Sequence, residues 1–204
     1  MEEAFKGTIV GVRYKEGVAL ASDSRETARY LVRSKGVQKI FKIQANLAVA
    51  VSGMTGDAQS LVDMMKSESN LYTIRKEKTM PPSSLARLTS NIFHSRRMFP
   101  YITSVILGGI GESGPRLYFL DPAGGQLEEE RFASAGSGSS VAYGVLEQGY
   151  VDEMDEDEAL SLSVHSIQQA IERDAATGDS IALAKVDQEG FKEISKESVE
   201  SYRR

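Results

Sequence analysis

The apolar residues of this chain change period several times, from two to about 3.6 and back, and that order narrows the fold more than any single motif. Thr8-Ile9-Val10-Gly11-Val12-Arg13-Tyr14 is β-rich, and Lys15-Glu16-Gly17 turns it into Val18-Ala19-Leu20-Ala21-Ser22-Asp23, which together spell a hairpin. Lys39-Ile40-Phe41-Lys42-Ile43 and Leu47-Ala48-Val49-Ala50-Val51-Ser52-Gly53, separated by Gln44-Ala45-Asn46, spell a second. From 57 to about 76 the pattern is helical, with Leu61, Met64, Met65, Leu71 and Tyr72 on one face. Met80-Pro81-Pro82-Ser83-Ser84 breaks that helix and opens another, which carries Leu85, Leu88, Ile92 and Phe93 and ends at Pro100. Strands return at 102–107, 116–120 and 128–133, with Asp121-Pro122-Ala123-Gly124-Gly125 as a turn. Residues 155–176 read as a helix burying Leu160, Val164, Ile167 and Ile171, and 181–186 with 191–194 as a closing hairpin.

Segregated runs of strands and helices point to α+β layers, with antiparallel sheets between helical layers, rather than to alternating βαβ units. The 204 residues suit one domain, without internal repeat or linker. A net charge of -5 and no long basic run argue against a nucleic-acid surface. The absence of cysteine excludes disulfides, thiolate zinc sites and cysteine catalysis. No apolar stretch approaches the roughly 20 residues that span a bilayer, so no membrane partner is expected. Met1-Glu2-Glu3-Ala4-Phe5-Lys6 lacks the basic and apolar regions of a secretory signal. The expected compartment is the cytoplasm.

Several local features carry plain explanations. Gly136-Ser137-Gly138-Ser139-Ser140 lacks the spacing and lysine of a phosphate loop, and reads as a strand-to-helix turn whose serines cap the helix. His94 and His165 lie far apart on separate helices, outside any metal or triad motif. The run Asp152-Glu153-Met154-Asp155-Glu156-Asp157-Glu158 lacks an EF-hand pattern and suits a helix N-terminus, where the dipole favours carboxylates. No cofactor or metal is expected. Taken singly, Asp23, Lys39 and Asp174 are solvated charges by base rate.

A longer pattern gives them another meaning. Gly17-Val18-Ala19-Leu20-Ala21-Ser22-Asp23-Ser24-Arg25, Lys39-Ile40-Phe41-Lys42-Ile43, Ser52-Gly53-Met54-Thr55-Gly56-Asp57-Ala58-Gln59 and Phe99-Pro100-Tyr101 occur in that order. Leu117-Tyr118-Phe119-Leu120-Asp121-Pro122-Ala123-Gly124-Gly125, Gly136-Ser137-Gly138-Ser139, Tyr143-Gly144-Val145-Leu146-Glu147 and Glu172-Arg173-Asp174-Ala175-Ala176-Thr177-Gly178-Asp179 follow. Along nearly its whole length the chain resembles the archaeal proteasome β family, whose fold is the four-layer αββα sandwich of N-terminal-nucleophile hydrolases. The resemblance implies a threonine-type endopeptidase, in which an N-terminal threonine attacks the peptide carbonyl and its own α-amine accepts the hydroxyl proton. It assigns Asp23, Lys39, Ser137, Asp174 and Thr177 to the support of that threonine, and the Gly53 N–H to the oxyanion. Glu26, Val37, Val51 and Thr55 match positions lining the substrate side-chain pocket, and the valines imply cleavage after hydrophobic residues. The implied partners are α-type subunits, other β subunits in a seven-membered ring, an ATP-dependent unfoldase cap and unfolded protein substrates.

The nucleophile position departs from the family. Relatives read Gly-Thr-Thr-Thr-Val-Gly where this chain reads Gly7-Thr8-Ile9-Val10-Gly11, one residue shorter. Counting back from Asp23, Lys39 and Gly11 puts Gly7 in the nucleophile's place, and a one-residue slip turns a strand side chain to the opposite face. The expectation is a propeptide-like segment over 1–7, removed by cleavage of Gly7–Thr8, and a single domain over 8–204 with Thr8 as nucleophile. The alternative is a non-catalytic β subunit completing a mixed ring. A simpler two-component bacterial ring protease fits less well, because the Asp-Pro-Ala-Gly-Gly and Gly-Ser-Gly-Ser blocks resemble proteasomes. Residues 1–6 and 202–204 are expected to be disordered outside an assembly.

Overall fold

Strand alternation sorts the side chains of β1 (Thr8–Arg13) into two different cores. Val10 and Val12 join one apolar cluster and Ile9 another, so even-numbered positions face one way and odd-numbered positions the other. The chain is described here by a computed structural model covering residues 6–203. After β1 come β2 (Val18–Asp23), the short strands β3 (Glu26–Ala28) and β4 (Leu31–Ser34), then β5 (Ile40–Gln44) and β6 (Leu47–Gly53). Helices α1 (Thr55–Lys76) and α2 (Pro82–Ser95) follow, then β7 (Thr103–Gly111), β8 (Gly114–Leu120), β9 (Gln126–Glu129) and β10 (Phe132–Gly136). Helices α3 (Ser139–Gly149) and α4 (Glu156–Arg173), strands β11 (Ile181–Asp187) and β12 (Gly190–Glu193), and α5 (Lys196–Tyr202) complete the order.

Two five-stranded antiparallel sheets result, one ordered β10-β1-β2-β11-β12 and the other β5-β6-β7-β8-β9. Ile9, Leu20, Ala50, Ile106 and Leu117 pack between the sheets. Val10, Val12 and Leu183 pack outward on Leu146, Leu160, Val164 and Ile167 of α3 and α4. Val49, Val105 and Leu107 pack outward on Leu61, Met65, Leu85 and Phe93 of α1 and α2. Three cores between four layers make this the α+β sandwich of two antiparallel sheets between helical layers that the resemblance implies.

The details differ from the sequence pattern in several places, among them the helix read over 155–176, which ends at Arg173, and α5, which the pattern did not mark. The residues at 128–133 divide between β9 and β10, because the bend at Glu130-Arg131 carries the chain from one sheet to the other. The exposed β3–β4 hairpin carries no buried alternation to signal it. No serine side chain caps α3; Gly138 is its N-cap, and Ser137 is used elsewhere. Tyr202 closes α5, where its hydroxyl donates to Asp157 at 2.8 Å; residues 1–5 and 204, on which the rest of the expectation for the chain ends falls in part, lie outside the described range. The acidic run does open α4, with Asp155 and Glu158 forming a capping box.

Candidate active site

The site lies where β1 begins, at the ends of β2, β6 and β10. Asp23, the last residue of β2, is fully buried and accepts four hydrogen bonds. Its Oδ1 accepts from Lys39 Nζ at 2.6 Å and from the Thr8 N–H at 2.8 Å. Its Oδ2 accepts from the N–H groups of Arg25 and Gly178, each at 3.0 Å. A buried carboxylate is tolerated only with partners of this kind. Lys39 enters just before β5, is itself buried, and is held by the carboxylate on one side.

A second cluster lies on the helical side. Asp174, the C-cap of α4, accepts from the Ser137 and Thr177 hydroxyls through Oδ2, each at 2.5 Å. Thr177 Oγ1 lies 2.7 Å from Thr8 Oγ1. A hydroxyl has one proton, and that of Thr177 is used on Asp174, so Thr8 donates in this pair. Thr8 is fully buried, and its hydroxyl points to the same side as Val10 and Val12, as the period of two requires.

Gly7 occupies the opposite face. Its N–H donates to Ser137 Oγ at 3.1 Å and its carbonyl accepts from the Ser137 N–H at 2.9 Å. A Cβ built on it would collide with Lys39 Nζ and lie 2.7 Å from Asp23 Oδ1. At φ +86 it also holds a left-handed conformation that favours glycine. Gly136 is required beside it: its φ is +99 and a Cβ there would overlap the Gly7 carbonyl. In the uncut chain the direction toward the Asp23–Lys39 pair therefore belongs to position 7, and the Thr8 hydroxyl faces away from it.

Beside this junction a cavity of about 830 Å³ is lined by Glu26, Val37, Lys39, Val51, Gly53 and Thr55, among others. Every residue expected in the substrate pocket is present in its lining. Thr55 Oγ1 donates to Glu26 Oε1 at 2.8 Å, which ties the start of α1 to β3. The same cavity reaches Phe41, Arg29, Arg33 and Lys6, which the residue pattern did not single out. Arg25 was also missed. Its hydrogen bond to Asp179, at 2.9 Å, is the largest cause holding its guanidinium above the usual range, and the pair fixes the loop after α4 against β2. Arg25 and Asp179 lie inside motif stretches that the sequence itself picks out, whereas nothing in the sequence marks Lys6. His94 and His165 are exposed on α2 and α4, away from the site.

A sandwich of this kind with lysine, aspartate and hydroxyl groups gathered at the start of its first strand defines a class, the N-terminal-nucleophile hydrolase fold. The sequence model of a family described as Proteasome subunit matches residues 4–186. Three proteins described as Proteasome subunit beta are 40–42% identical to this chain. That of Ferroglobus placidus is 40% identical, covering 98% of this chain and 96% of its own. Those of Archaeoglobus fulgidus and Methanothermobacter thermautotrophicus are 42% and 41% identical, covering 98% of this chain and 94% and 95% of theirs. The chain belongs to the proteasome subunit family, as a β-type subunit of the core particle. Threonine protease activity is typical of that family, and membership implies assembly with α-type subunits into rings. Among the described residues, no helix is long and apolar enough to cross a membrane.

Proposed function

We propose that this chain is a threonine-type endopeptidase subunit that degrades unfolded protein inside a closed cytoplasmic chamber, with Thr8 as nucleophile once Gly7–Thr8 is cut. The observation that carries the proposal is the intact support around that junction, in which the buried Asp23–Lys39 pair and the Ser137–Asp174–Thr177 cluster flank Gly7 and Thr8. Loss of residues 1–7 frees the Thr8 amine and removes Gly7 from the space beside Lys39. The Ser137 groups that hold Gly7 then become available to the new N-terminus. Thr8 must leave its seat on Thr177 and turn toward Lys39, which breaks the β1 pairing at its first residue.

In that state the Thr8 hydroxyl attacks a peptide carbonyl and passes its proton to the Thr8 α-amine. The oxyanion faces the Gly53 N–H, and the departing amine takes the proton. Water then hydrolyses the ester and restores the hydroxyl. Val37 and Val51 favour hydrophobic substrate side chains in the cavity. A seven-membered ring stacked on α-type rings, fed by an ATP-dependent unfoldase, confines this activity to unfolded chains.

A second reading is favoured by one observation: in the uncut chain Gly7, which has no hydroxyl, holds the place that faces Lys39. In that reading the subunit completes a mixed ring without acting. The two are separated by Thr8→Ala in a particle containing no other active β subunit. Loss of peptide hydrolysis is expected, and unchanged hydrolysis rejects Thr8.

A further inference from the structure

The cavity beside the junction, at about 830 Å³, is the size of a site for a drug-sized ligand and holds more than one substrate side chain. Val37 and Val51 give it an apolar wall, and five cationic side chains line it as well: Lys6, Arg25, Arg29, Arg33 and Lys39. Arg25 is paired with Asp179 and Lys39 with Asp23, and Lys6 leaves with residues 1–7 in the proposed cut. Arg29 and Arg33 are different. Among the described residues neither guanidinium makes an ion pair or a hydrogen bond. Both also stand at irregularities of the backbone. In the β3–β4 hairpin Glu26 pairs with Ser34 and Thr27 with Val32, so Arg33 is the extra residue of a β-bulge. A bulge re-aims the side chain of its strand. Arg29, in the turn, has a φ of +53, a left-handed conformation uncommon for a residue with a side chain. Two irregularities in one short hairpin thus each place an unpaired arginine on the wall of the same cavity.

We propose that Arg29 and Arg33 are specificity residues that take an acidic side chain of the substrate. A guanidinium fork matches a carboxylate through two parallel N–H···O bonds. A substrate bound in extended form turns alternate side chains to the same side, so the residue two before the cleaved one enters the cavity with it. The cavity then reads a hydrophobic residue against Val37 and Val51, and a glutamate or aspartate against the hairpin. Glu26, the one carboxylate of the lining, is held by Thr55 Oγ1 at 2.8 Å, and it repels an acid from the α1 end. The arginines are the place left for it. The inference rests on the proposed reading of this cavity as the substrate site, but not on Thr8 as nucleophile.

The test uses the assembled particle with no other active β subunit, and the aminomethylcoumarin amides of acetyl-Glu-Ala-Leu, acetyl-Gln-Ala-Leu and acetyl-Lys-Ala-Leu. The expected kcat/KM is about five- to tenfold higher for the Glu peptide than for the Gln peptide, the size of one charged hydrogen bond at a partly exposed site. The Lys peptide is expected to be the poorest. The difference is expected in KM, and it shrinks as salt is raised from about 0.05 to about 0.5 M. Arg29→Gln with Arg33→Gln is expected to bring the Glu-to-Gln ratio to about one, and Arg29→Lys with Arg33→Lys to keep part of it. Equal kcat/KM for the two peptides in the unmutated particle, or a Glu preference that survives the glutamine pair, overturns the inference. Should that pair fail to assemble, Arg33→Gln alone decides, and an unchanged ratio overturns it. A particle that cleaves none of the peptides rejects the proposed function, and the inference is then judged by anisotropy with fluorescein-labelled Glu-Ala-Leu and Gln-Ala-Leu. Tighter binding of the Glu peptide supports it, and equal or absent binding overturns it.

Discussion

Asp23 is the residue on which the site's geometry depends, since its two oxygens tie Lys39, the first residue of β1, Arg25 and Gly178 to one buried point. Removing one partner of a buried pair leaves a charge without compensation, at a cost of about 3–5 kcal/mol. Lys39→Met is therefore expected to lower the unfolding free energy of the chain by about that amount, measured by urea titration. A loss below about 1 kcal/mol would place Asp23 in contact with solvent that the structure excludes. Gly7→Ala acts differently, because it forces a side chain into a left-handed backbone and against Lys39. In the uncut chain the expected cost is about 1–3 kcal/mol. Full stability in the same titration would contradict the position assigned to Gly7.

At the scale of elements, β1 shows both what the residue pattern discloses and where it stops. Its alternation foretells that Thr8 and Gly7 face opposite sides, and the burial of Ile9 in one core and of Val10 and Val12 in another agrees. The motif stretches likewise locate Asp23, Lys39, Ser137, Asp174 and Thr177, which converge although they are far apart in sequence. The β3–β4 hairpin was not legible, since three- and four-residue strands with little burial leave no period. The place of Lys6 was not legible either, because it depends on how the fold returns Arg29 and Ser52 to the start of the chain.

Away from the site, Lys185 on β11 bonds to Asp187 at 2.8 Å and to Glu156 at the start of α4 at 2.7 Å. Burial alone would raise the Asp187 carboxyl, but the bonds from Lys185 and the Glu189 and Gly190 backbone outweigh it and hold it below 3.8. A lowered carboxyl adds stability above its unfolded value that is lost as pH falls through the folded value. Lys185 is desolvated too, yet its bonds to Asp187 and Glu156 raise it above 10.5. Its contribution is therefore complete below that value and is lost as pH rises through the folded one. Asp187→Asn is expected to flatten the fall in stability below about pH 4. An acid limb unchanged in thermal unfolding across pH 2–5 would contradict this pairing.

At the scale of the whole molecule, several large apolar side chains stand in solvent on the single chain. Tyr30 and Leu31 are 100% and 67% exposed on the β3–β4 hairpin, and Met98 and Phe99 are 80% and 88% exposed after α2. Assembly into rings offers neighbours to cover such surfaces. Leu31→Asp and Phe99→Asp are expected to reduce the yield of assembled particle on size exclusion while leaving the melting of the isolated chain unchanged. Normal assembly by both would remove these surfaces from the subunit contacts. The central claim concerns the junction beside Lys39, and the intact mass of the chain purified from its assembled particle tests it most directly. The expected result is loss of residues 1–7 and a start at Thr8. A chain that still begins at Met1 or Glu2 would contradict Thr8 as the nucleophile.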